Sequence, residues 1–158
     1  MRLSNFRVHF AVAVLAAPLS GCVTTSTPDS VRAEVSAALA NMGAAANAHD
    51  VDRHVGFYAH DDSTILISDG EPIIGWDTIR TKQRKWWSNG QTDVVYTVQG
   101  KPEVRVLKSD LAVTTLLMTS RRTGPDGAVK EGRLAVSAVW QKRLDGWRVI
   151  YSHESTTH

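Results

Sequence analysis

Cysteine is almost missing: of 158 residues only Cys22 carries a thiol. No disulfide can form within one chain, so the fold has to rest on a packed core, which a chain of this length can build. Long apolar runs are missing too. The run VHFAVAVLAAPL (8–19) is too short for a permanent transmembrane helix, which needs about 20 apolar residues. Excess charge disappears on inspection. Of the 18 basic residues, Arg2 and Arg7 precede Cys22, so 16 remain against 16 acidic ones. A neutral domain has no bulk electrostatic pull toward nucleic acid, and none is expected as a partner. Metal-ligand spacing is lacking as well. His49, His54 and His60 lie among Asp50, Asp52, Asp61 and Asp62, but 49 to 54 is a spacing of i+5, which does not stack on one helical face. No HxxxH or HxH occurs, and the expectation is no metal and no cofactor.

What is present begins with a basic, then apolar, then small-residue order over residues 1–22, that of a secretory signal. LSGC (19–22) resembles the bacterial lipobox, in which the cysteine is lipidated and becomes the first residue of the mature protein. The resemblance implies a signal peptide at 1–21 and a lipid anchor on Cys22. Val23 after it, rather than Asp, is similar to the pattern retained at the outer membrane, facing the periplasm. Residues 22–29 then read as the lipidated cysteine and a small, polar tether, with one domain over 30–158. The basic stretch RTKQRK (80–85) reads as a solvated helix face, with anionic headgroups as its rival partner.

Val31, Val35, Leu39 and Met42 recur at helical spacing behind Asp29 or Ser30 as a cap, predicting a helix over 30–47. Asp50 caps a short helix carrying Val51, Val55 and Tyr58. STILIS (63–68), DG and EPII (71–74) read as a tight hairpin. Gly75 opens a third helix, stopped by Asn89–Gly90. From Val94 on, everything reads as strand, with turns at Ser109–Asp110, GPDG (124–127) and Asp145–Gly146. No internal repeat is visible. Helices first and a long meander last argue α+β, with three helices laid on one face of a curved antiparallel sheet.

This order resembles the SnoaL-like, nuclear transport factor 2-like superfamily, a cone of curved sheet closed by helices with a cystatin-like α+β architecture. YAHDDSTILISDGEPIIGWDTIR (58–80) and AVWQKRLDGWRVIYSHES (138–155) carry the resemblance. The second stretch is also similar to the association domain of calcium/calmodulin-dependent kinases, which forms rings and holds a polar pocket. Where that domain places pocket arginines, this sequence has Met118 and Ala138. The charged floor is gone, which implies a small, largely apolar ligand.

Strand alternation sorts the candidate pocket residues. Trp147, Val149, Tyr151 and His153 face inward and Glu154 outward, which disfavours a His153–Glu154 dyad. Leu134, Val136, Ala138 and Trp140 face inward from the preceding strand. Tyr58, Trp76, Trp86, Tyr96, Met118, Ala138, Trp140, Tyr151 and His153 are thus expected to line the pocket. His153 is the weak candidate for acid–base chemistry, and its plainer role is a pocket histidine held by Tyr58 or Tyr96. Three functions follow. The first is a membrane-anchored binding or accessory module, homodimeric through the sheet. The second is an isomerase- or cyclase-like enzyme using the pocket histidine, and the third is an oligomerisation scaffold whose cone is plugged by side chains.

Overall fold

The computed structural model describes residues 26–124 and 126–157. The expected signal peptide, Cys22 and residues 23–25 of the tether lie outside the described residues.

Helix α1 spans Pro28–Asn47 and starts two residues earlier than the sequence suggests. Thr27, not Asp29 or Ser30, is its cap: the threonine hydroxyl accepts from the Ser30 amide at 3.2 Å, and Pro28 supplies a first-turn residue with no amide to satisfy. Val31 and Val35 are fully buried on its inner face. Each contributes about 1.5–3 kcal/mol by leaving water. Asp50 caps α2 (Val51–Val55), accepting from the Arg53 amide at 3.0 Å. Strands β1 (Ile65–Ser68) and β2 (Glu71–Ile74) form the expected hairpin. Asp69 and Gly70 turn it with φ of 49° and 87°, the two positive values a type I′ turn demands. Helix α3 (Trp76–Trp86) follows Gly75, whose φ of 90° favours glycine.

The meander is β3 (Val95–Lys108), β4 (Leu111–Thr123), β5 (Val129–Arg143) and β6 (Gly146–Thr157). The sheet order is β2-β1-β6-β5-β4-β3, with β1 parallel to β6 and the other pairs antiparallel. This is the expected α+β cone: a curved, unclosed sheet of six strands and three helices. Strand β3 runs unbroken through Gly100–Pro102, where its register against β4 slips. Trp140 is fully buried, and its indole N–H donates to Thr114 Oγ1 at 2.9 Å.

Two polar clamps fix α1 to the sheet. Asn47 Nδ2 donates to the Tyr96 carbonyl at 2.9 Å, and its Oδ1 accepts from the Tyr96 amide at 2.8 Å, so one side chain covers the edge of β3. At the other end, the Glu34 carboxylate takes hydrogen bonds from the Trp147 indole and from Lys142.

One irregularity decides the site. Trp140 pairs with Val149 and Val139 pairs with Tyr151, so Ile150 has no partner on β5. It is a β-bulge. It sits where β6 changes neighbour on its other side: segment 57–59 bonds to Val149, and β1 takes over from Tyr151.

Candidate functional site

The extra residue shifts the pleat by one. Before it, Trp147 and Val149 face the core, as expected. After it, Ser152, Glu154 and Thr156 lie opposite the inward residues Ala138, Val136 and Leu134, while Tyr151 and His153 turn outward beside Val139 and Ser137. The expectation for the last strand is therefore corrected. His153 is exposed, and Glu154 lines the cavity. Side chains alternate regularly on each side of Ile150, and the bulge breaks the alternation across it.

The helices and the concave face of the sheet enclose an open cavity of about 1530 Å³. Leu39, Met42 and Ala46 of α1 form one wall, and Leu116, Met118, Leu134 and Val136 form the opposite wall from β4 and β5. Trp86, Tyr96 and Met118 line it as expected. Tyr58, Ala138 and Trp140 are instead buried in the core behind it. Trp76 faces elsewhere: its indole donates to the Val55 carbonyl at 3.0 Å, and its ring lies 3.9 Å from that of His60. The cone is not plugged, so the scaffold reading loses its predicted signature.

An aromatic and polar cluster stands at the inner end. The His54 ring lies 5.0 Å from Trp87 and 6.3 Å from Tyr58. The Trp87 indole donates to Tyr96 Oη at 3.1 Å. The Tyr58 hydroxyl meets Ser152 Oγ at 3.1 Å, both buried. Gln83, on the inner face of α3, is 93% removed from solvent, yet its side chain has no hydrogen-bond partner among the described residues and borders the cavity.

The cluster's electrostatics follow from burial. Glu154 is half-buried on the cavity lining and its carboxyl is pushed up to about 7, first by desolvation and then by the charge of Asp69. Asp69 sits at the hairpin tip, where its carboxylate accepts from the Thr156 amide at 2.9 Å. The Tyr58 hydroxyl is raised by burial and by the Glu154 charge, against the opposing hydrogen bond to Ser152. Burial raises Tyr96 likewise, and Glu154 adds to it. His54 is held down to about 4 by burial, against the hydrogen bond of Nδ1 to the Met42 carbonyl at 3.2 Å. It is neutral at physiological pH, so Nδ1–H donates and Nε2 is left as an acceptor.

Three of the other polar residues between 49 and 62 have structural partners. His49 Nε2–H donates to the Val94 carbonyl at 2.6 Å, Asp52 pairs with Arg80 and Arg84, and Asp61 pairs with Arg143. Among the described residues no group of three or more His, Cys, Asp or Glu side chains converges as a metal site. Nor is any helix there long and apolar enough to cross a membrane. Glu154, His54, Gln83 and Trp87 are the residues the sequence reading missed. A polar residue on the inner face of α3 was the one available signal, and it pointed to Gln83.

A sequence profile described as SnoaL-like domain matches residues 35–158. A search of curated protein sequences finds no match. Among solved structures, a nuclear transport factor 2-like superfamily protein from Salmonella enterica is 18% identical, with a TM-score of 0.72, covering 84% of this chain and 94% of its own. A ketosteroid isomerase-like protein from Erwinia carotovora is 20% identical, with a TM-score of 0.64, covering 80% and 95%. A Xanthomonas campestris protein provisionally assigned as a calcium/calmodulin-dependent protein kinase II association domain is 21% identical, with a TM-score of 0.66, covering 78% and 86%. At these identities the likeness speaks for the fold alone.

Proposed function

The chain belongs to the SnoaL-like domain family, and from that premise we propose that its cone is a binding module for a small, largely apolar molecule that presents one polar group to Glu154. One observation carries this reading. An open cavity of about 1530 Å³ with aliphatic and aromatic walls holds a half-buried carboxyl, that of Glu154, whose affinity for protons is tuned to neutrality. The second reading is acid–base catalysis, and the same carboxyl favours it. A group with a pKa of about 7 is poised to take and return a proton at physiological pH, as isomerisation or dehydration requires. Glu154 replaces His153 in that role.

Binding of 2-(1-naphthyl)ethanol, followed by quenching of tryptophan fluorescence, tests the module. The wild type should bind it, and Val136→Trp, which fills the space, should lose at least tenfold in affinity. Equal affinity in the two proteins would place binding elsewhere.

The anchor and the assembly belong to the same proposal. Cys22 carries lipid at the cell envelope, so Cys22→Ser should move the protein from the membrane fraction to the soluble one. The exposed face of the sheet, with Leu117 53% exposed and Val113, Val139 and Tyr151 half-buried across three strands, suits contact with a second copy. Native mass spectrometry should report a dimer that Leu117→Lys weakens.

A further inference from the structure

Glu154 lacks the partner that a carboxylate drawn out of water normally has. No lysine or arginine among the described residues makes an ion pair with it or with Asp69, although seven ion pairs form elsewhere. The cations that border the cavity, Lys82, Lys101, Arg122 and Lys130, share it with Glu71 and Glu131, and none comes within 4.0 Å of the Glu154 carboxylate. Among the described residues, the charge that bears on Glu154 is negative, that of Asp69.

The uncharged groups of the inner cluster include acceptors. His54 spends its one N–H on the Met42 carbonyl, so its Nε2 accepts. Gln83 brings a side-chain amide without a hydrogen-bond partner among the described residues to the cavity wall, and its oxygen is an acceptor. Around them stand the rings of Trp87, Tyr96 and His54, packed within 6.4 Å of one another in sequence. Aromatic faces attract cations through their negative quadrupoles. A ligand carboxylate would meet Glu154 and Asp69 as like charges. A neutral hydroxyl or carbonyl would supply no charge at all.

We infer that the inner end of the cavity is a cation site, which takes the ammonium group of a largely apolar organic amine against Glu154. An ammonium offers three donors and no acceptor, matching Glu154, His54 Nε2 and the Gln83 oxygen. It also supplies the missing counter-charge, without which a desolvated carboxylate is costly. The aliphatic walls take the rest of the molecule. This inference rests on the binding reading above and narrows its ligand class.

The test compares 2-(1-naphthyl)ethylamine with 2-(1-naphthyl)ethanol by calorimetry on the purified protein, at pH 5 and pH 8. The amine stays protonated and His54 stays neutral across that range, so Glu154 is the titrating group at the inner end. At pH 8 the amine should bind at least tenfold tighter than the alcohol. Its affinity should fall by up to about 100-fold at pH 5, where Glu154 is protonated, and there amine binding should release a proton. Glu154→Gln should bind amine and alcohol alike at both pH values. If that variant does not fold, Gln83→Leu should lower amine affinity several-fold and spare the alcohol. Alcohol binding equal to or tighter than amine binding at pH 8 would overturn the cation site and leave the binding module standing. Failure of both probes to bind would overturn the module as well.

Discussion

His153 and Glu154 are adjacent, and one unpaired residue decides which of them meets a ligand. Placed outside, His153 faces water beside Ser137 and Thr115. His153→Ala should therefore change stability by less than about 0.5 kcal/mol and leave probe affinity unaltered, as expected for an exposed position without special contacts. A loss of binding in that variant, measured by the same fluorescence titration, would return the histidine to the cavity. The dyad is excluded either way, because neighbours on a strand point to opposite faces. Which neighbour pointed inward was not legible. Val149, Ile150 and Tyr151 are all good strand formers, and nothing in their types marks the bulge. Gln83 was half legible: its helical face could be read, but not the lack of a partner, which is a property of the packed structure.

The elements were far more legible than the site. Helical spacing gave α1, the Asp69–Gly70 pair gave the hairpin, and turn signals separated the strands of the meander. These are local signals, and local chemistry obeys them. The junctions are where the reading slipped. The cap of α1 lies at Thr27 because Pro28 can take the first helical position, and β3 runs through Gly100–Pro102 because the strand tolerates a shift in register there. The clamp by Asn47 could not be foreseen, since it joins residues 49 positions apart. It satisfies both polar groups of Tyr96 on an edge strand, so Asn47→Ala should cost about 1–2 kcal/mol in denaturant unfolding. Hydrogen exchange should show the added opening at β3 and not at β5.

At the scale of the molecule, two half-buried groups set opposite dependences on pH. Glu154 has a folded pKa of about 7 against an ordinary 4.5, so its contribution is fully present in acid and is lost as pH rises from 4.5 to 7. His54 has a folded pKa of about 4 against 6.5, so its contribution is present above 6.5 and is lost as pH falls toward 4. Between pH 4.5 and 6.5 the two nearly cancel, and unfolding free energy should be flat. Glu154→Gln removes one of them, and that variant should lose about 2–3 kcal/mol across the same interval. The same carboxyl links stability, the open cone and the selection of a ligand, because each depends on its standing inside rather than outside the sheet. The most direct measurement is the pH titration of the Glu154 side-chain carbon by nuclear magnetic resonance, assigned by its disappearance in Glu154→Gln. A midpoint near 7 in the ligand-free protein is the predicted result. A midpoint near 4.5, that of a solvated glutamate, would contradict the account.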